Sequence, residues 1–415
     1  MSALVGSGFL RQLGWKTFGE LLTRILSLGF FFVLARVLGD TYFGLYSWPL
    51  ALAGFLSVIL DPGSHSLLIR EVARSPEQQT RILQNTLVLR GLASFAFLGL
   101  ILLILPLNQL YQVYDEAPLA LLAASLIMIG QSWLDTWSAW LNAHQEFKQE
   151  ARIRFVLKVF VLIPPLICLW YKPSILCLLW SSALAHLLCL PLFVWSIRRH
   201  LHPGLAVSRS EIHSYWRQGL GFWMANISWI LYLKLDLVML PLLGRSPDEL
   251  AWYQVAIRFY EIVCLGGYLL SMTLFPRLSA LADQKQAFEQ LTRQSLKLTS
   301  LAGCLAAVSA AVLSFVLPMA LGSNYAPVVS LCHWLCWSIP LVYLNLVLFN
   351  VLGAQHQQQK TAYATTLCLL FNGLCNLYAI PRWGAQGAAI STLLADSILC
   401  LSLLFFLHRT KKLKN

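Results

Sequence analysis

Charged residues are scarce in this 415-residue chain. They make up 12% of it, about half the share that a soluble globular domain carries. Hydrophobic residues make up 58%, and the mean hydropathy is +0.66. Every face of a membrane-spanning helix must be apolar or buried, so such a composition is typical of an α-helical membrane protein. The net charge of +12 does not indicate nucleic-acid binding, because the basic residues recur at the ends of apolar stretches instead of clustering on one domain.

Motifs for catalysis and metal binding are missing as well. The sequence has no Walker-type phosphate loop and no His-Glu-x-x-His motif. Its ten cysteines lack metal-type spacing and lie mostly inside apolar runs, where we expect small core residues. The first apolar run is long enough to stay in the membrane and does not resemble a cleavable signal. We therefore expect no enzyme activity, no cofactor and no resident metal.

Long apolar stretches are abundant, and a membrane-spanning helix needs about 20 such residues. They predict twelve transmembrane helices, at 13–35, 43–61, 82–106, 117–140, 153–171, 174–197, 215–243, 250–274, 296–320, 325–352, 362–380 and 385–408.

The Lys and Arg residues alternate between the two sides of these stretches. With the N-terminus inside, 22 of the 30 fall in inner segments, 4 in outer segments and 4 within spans. Cytoplasmic loops are enriched in Lys and Arg, so both termini are predicted to be cytoplasmic. A basic and polar run lies in the middle of the chain. It predicts an N-terminal six-helix bundle over 1–200, a cytoplasmic linker over 201–214 and a C-terminal six-helix bundle over 215–415.

The two predicted bundles begin with a similar pattern. A Leu-Gly pair at 38–39 is followed by Gly44-Leu45-Tyr46, and a Leu-Gly pair at 243–244 is followed by Ala251-Trp252-Tyr253. Two copies in the same orientation would be related by an axis along the membrane normal, a common plan of transporters.

Charges inside the predicted spans are the candidate functional residues, since each costs about 3 kcal/mol to insert. The cations Arg24, Lys234 and Arg258 predict a polar cavity that binds an anionic group such as a phosphate, for which the Arg guanidinium is well shaped. Arg90 lies near an inner membrane end, where we expect its side chain to reach the interface.

Acidic residues within the spans form a second group of candidates. They are possible ion-coupling or structural acids: Glu20, Asp135, Asp236, Glu261 and Asp396. In the alternative interpretation, the charges bind helices together. Glu20 and Arg24 are four residues apart and Arg258 and Glu261 three apart, so each pair shares a helix face.

Two further segments have structural interpretations. Asp61-Pro62-Gly63 predicts a helix stop and turn, followed by an amphipathic helix on the inner surface. Trp133, Trp137 and Trp140 lie deep in the fourth span, where packing is favoured over stacking on sugar rings.

Several short segments, taken in order, resemble the polysaccharide flippases (Wzx-type, O-antigen and related transporters) of the multidrug/oligosaccharidyl-lipid/polysaccharide exporter superfamily. They are Ala35–Gly39 with Phe43–Tyr46, Asp61–Gly63, Arg70–Arg74, Lys234–Asp236, Ala251–Ala256, Phe275–Ser279 and Gly384–Ala389.

The resemblance implies an all-α, MATE-like fold of two six-helix bundles that alternates between inward-open and outward-open states. It implies a substrate of the form oligosaccharide–diphosphate–polyprenyl, flipped to the outer leaflet of the plasma (inner) membrane. A cationic cavity would include Lys234 and Arg258, with Arg24 as a further member. A polysaccharide polymerase is an implied partner. Lipid II flippases of the superfamily usually carry two extra spans, which speaks against a peptidoglycan precursor as substrate.

Two other functions remain open at this stage. A cation-coupled multidrug antiporter of the same superfamily would use acids facing its cavity, and Glu20, Asp135 and Asp396 keep that function open. A membrane-embedded glycosyltransferase or ligase would carry a sizeable outer loop with catalytic residues, whereas the predicted outer loops are only a few residues long.

Overall fold

The computed structural model describes residues 7–106, 116–171, 173–198, 208–282 and 284–414, and these residues form helices joined by short connections. No β-strand occurs in those ranges. The helices are α1 (Ser7–Leu56), α2 (Ser64–Arg74), α3 (Gln79–Ile104), α4 (Ala117–Ala143), α5 (Phe147–Tyr171), α6 (Ile175–Ile197), α7 (Arg209–Leu242), α8 (Pro247–Ala280), α9 (Lys285–Leu313), α10 (Val316–Leu321), α11 (Val328–Cys336), α12 (Ile339–Ala354) and α13 (Gln358–Lys414).

The two longest helices, α1 and α13, each contain a break at a glycine. Gly39 has φ 72° and ψ 175°, and Gly384 has φ 59° and ψ −137°. Glycine adopts positive φ without steric cost, so the chain changes direction there. Helices of 50 and 57 residues at about 1.5 Å per residue greatly exceed the roughly 30 Å of a bilayer core. Each therefore holds two spans.

The predicted number of spans agrees with these elements. Within the described ranges, eight helices are long and apolar enough to cross a membrane, and α11 with α12, bent by 42°, makes a ninth. The doubled spans of α1 and α13 raise the number to eleven. The 34-residue α7, at the predicted seventh span, brings it to twelve. The chain is an all-α, multi-pass membrane protein.

The chain divides into two compact units. The first contains Met1–Leu38 and Pro49–Met224, and the second contains Gly39–Trp48 and Ala225–Asn415. Part of the predicted linker, 201–207, lies outside the described residues. The assignment of six helices to each of 1–200 and 215–415 stays a prediction.

The connection between α1 and α2 forms the predicted turn. Gly63 has φ 80°, and the Asp61 carboxylate accepts hydrogen bonds from the Ser64 hydroxyl at 2.8 Å and the His65 amide at 3.1 Å. Asp61 thus satisfies one backbone amide at the start of α2, as an N-cap does. Leu67 and Leu68 on α2 are fully buried, so this helix packs on the first unit through its apolar face.

Candidate functional site

A cavity of about 320 Å³ lies within the first unit, lined by side chains of α1, α4, α5 and α6. Two of the predicted site residues meet there, Arg24 on α1 and Asp135 on α4. Both side chains are exposed, and neither makes an ion pair or hydrogen bond with another described residue. Glu20 does not pair with Arg24 within the described structure, so helix-binding through that pair does not occur here.

One side of the cavity carries a buried ion pair that the sequence interpretation missed. Glu150 is 2% exposed, and its carboxylate lies 2.7 Å from Nη2 of Arg154. The Ser138 hydroxyl bridges the two side chains, since it accepts a hydrogen bond from Arg154 at 2.5 Å and donates one to Glu150. This network neutralises the Glu150 charge at the cavity wall.

Two cations of α5 line the cavity, although both lie at the inner end of the predicted span 153–171. Arg154 and Lys158 were counted among the basic residues that orient the chain, yet both face the cavity. The spacing of Glu150, Arg154 and Lys158 is four residues each time, which places them on one helix face. That periodicity is the signal that could have found them.

Arg90 corrects a prediction. Instead of reaching the interface, its side chain is 1% exposed. Nη1 donates to the Leu60 carbonyl and to the Ser132 hydroxyl, both at 2.8 Å, and Nη2 lies 3.4 Å from the Asp61 carboxylate. Arg90 therefore ties α3 to the turn before α2 and to α4, and it plays no part in the cavity.

The tryptophans of α4 pack within the protein, as predicted. The rings of Trp133 and Trp137 lie 6.3 and 5.9 Å from the ring of Phe193. The ring of Trp140 lies 4.3 Å from that of His144.

The second unit holds the other predicted cations. Nη1 of Arg258 lies 2.8 Å from the Glu261 carboxylate, and both side chains are about 40% exposed. Lys234 on α7 is partly exposed, and no described residue forms an ion pair or hydrogen bond with it. It lies in the electrostatic field of both Arg258 and Glu261. Arg258 thus has the partner expected from its spacing, whereas Lys234 has none.

Asp236 lies in a buried polar cage formed by three helices. It is 6% exposed. The Tyr253 hydroxyl donates to its carboxylate at 2.5 Å, the Thr392 hydroxyl at 2.7 Å and the Asn376 amide at 2.5 Å. Asn376 also donates to the side chain of Asn372 at 3.1 Å. The Asn376 carbonyl oxygen and the Asn372 amide nitrogen are buried without partners in the described structure.

Asp396 occupies a second cage, which is fully satisfied. It is 2% exposed. The hydroxyls of Tyr232 at 2.8 Å, Tyr260 at 3.0 Å and Ser338 all donate to its carboxylate. Asn345 donates to its backbone carbonyl at 3.2 Å. Tyr232 lies on α7, Tyr260 on α8 and Asn345 on α12, and Ser338 directly precedes α12. Asp396 on α13 therefore connects α13 to three other helices of the second unit.

In the ranges that the structure describes, no group of three or more His, Cys, Asp or Glu side chains could hold a metal ion.

Solved structures of membrane transporters share the fold. The lipid II flippase MurJ, in an inward closed conformation, matches with a TM-score of 0.77 at 17% identity, over 95% of this chain and 87% of that one. The eukaryotic MATE transporter AtDTX14 matches with a TM-score of 0.68 at 13% identity, over 97% and 96%. A superfamily transporter from Pyrococcus furiosus matches with a TM-score of 0.59 at 11% identity, over 97% and 94%. These similarities establish the MATE-like fold.

Family profiles extend the comparison to sequence. No curated protein matches the chain. The profile of the MatE family matches residues 223–377. The profile described as polysaccharide biosynthesis protein matches residues 9–282, which is more than half of the chain. With its twelve-span, MATE-like fold, the chain belongs to the polysaccharide biosynthesis protein family and is a transporter of the multidrug/oligosaccharidyl-lipid/polysaccharide exporter superfamily.

Proposed function

We propose that this protein flips a polyprenyl-diphosphate-linked oligosaccharide from the cytoplasmic to the outer leaflet, by alternating access, for the synthesis of a surface polysaccharide such as O-antigen. The observation that carries the proposal is Lys234, whose side chain forms no ion pair or hydrogen bond with a described residue. A cation at membrane depth is costly unless an anion or water meets it. A diphosphate group that arrives with the substrate supplies that anion.

Cations of the first unit support the same substrate class. Arg24 is exposed in the cavity without a partner, and Lys158 lines the same space. The guanidinium of Arg24 can bind two phosphate oxygens at once. Arg24, Lys234 and Arg258 are the residues that we assign to the anionic part of the substrate.

Asp236 is the acid that we assign to ion coupling. Its cage contains a buried carbonyl oxygen, that of Asn376, with no donor. A buried acceptor beside a carboxylate lacks only a cation or a proton, and buried polar atoms are rarely left unpaired. Asp396 differs, because three hydroxyl donors already fill its carboxylate. We assign a structural role to Asp396.

The proposal also includes the cellular membrane in which the protein works and its orientation there. The protein works in the plasma (inner) membrane, with both termini cytoplasmic and with a six-helix bundle on each side of the linker. The alternation of Lys and Arg along the chain supports this orientation. A polysaccharide polymerase would use the flipped product on the outer side.

Substitution of the second-unit cations tests the proposal. In a strain that lacks the transporter, Lys234→Ala and Arg258→Ala should each lower export of the surface glycan about tenfold or more at equal protein level, since a charged hydrogen bond contributes roughly 1.5–3 kcal/mol. Lys297→Ala is the matched control, because the Lys297 side chain is exposed and forms no ion pair or hydrogen bond with a described residue. Full complementation by both the Lys234 and the Arg258 variants would contradict the cationic site.

A cation-coupled multidrug antiporter is the second candidate, favoured by the match of the MatE profile to residues 223–377. The two functions differ in what they move. We expect no change in resistance to ethidium or other organic cations when the gene is deleted or overexpressed. Drug efflux that depends on Asp135 or Asp236, with normal surface glycan, would favour the antiporter.

A further inference from the structure

Two polar side chains of α4 face the first-unit cavity and have no partner in the described structure. Gln131 and Asp135 are one helical turn apart, line the same space and are exposed. Neither forms a hydrogen bond or ion pair with a described residue. The neighbouring polar residues Ser132 and Thr136 are buried and occupied: Ser132 accepts a hydrogen bond from Arg90, and Thr136 donates to a backbone carbonyl. Gln131 and Asp135 lie on the face of α4 that meets the cavity.

The charges around the pair limit what it can bind. Arg24, Arg154 and Lys158 line the same cavity, and Glu150 is neutralised by Arg154. A metal or organic cation would meet three positive side chains and only one free carboxylate. A free inorganic anion would meet the negative charge of Asp135. Neither kind of ion matches the whole lining.

A neutral ligand with many hydroxyl groups matches it better. Hydroxyls donate to the carboxylate of Asp135 and to the amide oxygen of Gln131, and they accept from the amide NH₂ group. A side-chain amide and carboxylate one turn apart can bind neighbouring hydroxyls of one ring. The cavity volume of about 320 Å³ lies at the small end of the range for ligand pockets, which suits a single sugar better than a long oligosaccharide.

We propose that Gln131 and Asp135 form a subsite for the sugar next to the diphosphate, with Arg24 binding the phosphate side of that ligand. The subsite rests on the proposed function, since it assumes a lipid-linked glycan. It adds a specificity determinant: the first unit distinguishes a glycosylated polyprenyl diphosphate from the bare lipid.

Competitive binding tests the subsite on the full-length protein in detergent, measured by native mass spectrometry. The probes are undecaprenyl diphosphate and the same lipid carrying one glucose, one galactose or one N-acetylglucosamine. We expect wild type to prefer at least one glycosylated lipid over the bare lipid by about tenfold, the effect of one to two hydrogen bonds. Gln131→Ala and Asp135→Ala should each remove that preference, and the uncharged change Gln131→Ala should leave binding of the bare lipid unchanged.

Controls separate the subsite from folding and from the proposed function. Neither side chain forms a hydrogen bond or ion pair with a described residue, so both variants should keep the wild-type unfolding temperature. Glu77→Gln, at an exposed carboxylate of the same unit, should keep the preference. Equal binding of all four lipids by wild type, or a preference that survives Asp135→Ala, would overturn the subsite alone. Failure to bind any of the four would contradict the proposed function itself.

Discussion

Asp135 in the first unit and Asp396 in the second are alike in sequence and opposite in structure. Each is a lone acid in an apolar stretch with no partner on its own helix. Asp135 is exposed in a cavity and forms no hydrogen bond or ion pair with a described residue. Asp396 is 2% exposed and accepts hydrogen bonds from three hydroxyls. The first is available to a ligand, and the second holds helices together.

The comparison shows that an acid in a membrane span, where a charge is energetically costly, can be accommodated in two ways. One is a solvated cavity, and the other is a cage of donors from other helices. Asp236 combines both features, because its cage is buried but contains an unpaired acceptor. Substitutions at these positions should therefore separate stability from function.

Asp396→Ala should give the largest loss of stability. It leaves the hydroxyls of Tyr232, Tyr260 and Ser338 buried without their common acceptor, and each such group costs about 1–3 kcal/mol. We expect a loss of about 3 kcal/mol or more in equilibrium unfolding in mixed detergent micelles. Asp135→Ala is the matched control and should leave the free energy of unfolding unchanged. Equal losses of unfolding free energy for the two substitutions would contradict the structural role of Asp396 and the ligand-accessible role of Asp135.

Arg154→Ala should have an intermediate effect. It removes the counter-ion of Glu150, which is 2% exposed, while the Ser138 hydroxyl remains. We expect a loss of about 2 kcal/mol, less than for a fully buried pair because the Arg154 side chain is 36% exposed. Adding Glu150→Gln should recover most of the loss. A double variant as unstable as Arg154→Ala alone would show that the carboxylate charge is not the cause.

The smallest effect should come from the surface pair of Arg81 and Glu211 in the first unit. Arg81 donates two hydrogen bonds to Glu211, one of them at 2.9 Å, and thereby lowers the pKa of that carboxyl. A lowered pKa means that the pair stabilises the fold above the ordinary glutamate value, near 4.3. This contribution is lost as the pH falls through the lowered value.

Thermal unfolding of wild type and Glu211→Gln from pH 7 to pH 3 measures the contribution of the Arg81–Glu211 pair to stability. The difference in unfolding temperature between the two proteins should be small at neutral pH, because exposed ion pairs contribute little. It should shrink further at the acidic end. A difference that grows as the pH falls would contradict the assignment.

The span pattern could be predicted from the sequence because a bilayer imposes a length and a composition on each helix. The predicted boundaries agree with α3, α4, α5 and α6 to within three residues, apart from the inner end of α5, which begins at Phe147. Arg24 and Asp135 were identified as candidates for the same reason, since a charge in an apolar run is visible without any structure.

The side chains that bind these charged residues could not be predicted from hydropathy. The cage around Asp236 contains Tyr253 on α8 and three residues of α13, namely Asn372, Asn376 and Thr392. The α13 residues lie more than 130 positions after Asp236 in the sequence. Arg90 was assigned to the interface because its sequence position is near a membrane end. Its burial depends on Leu60, Asp61 and Ser132, which the sequence places on other elements.

The sequence by itself determined that this protein is a helical, multi-pass membrane protein and which charges it carries in its spans, because hydropathy and charge act locally along the chain. Only the tertiary structure decided which charges are free. Whether Lys234, Asp135 or Asp396 meets a counter-ion or a hydrogen-bond partner depends on side chains that distant helices bring within about 3 Å, the range over which a hydrogen bond forms.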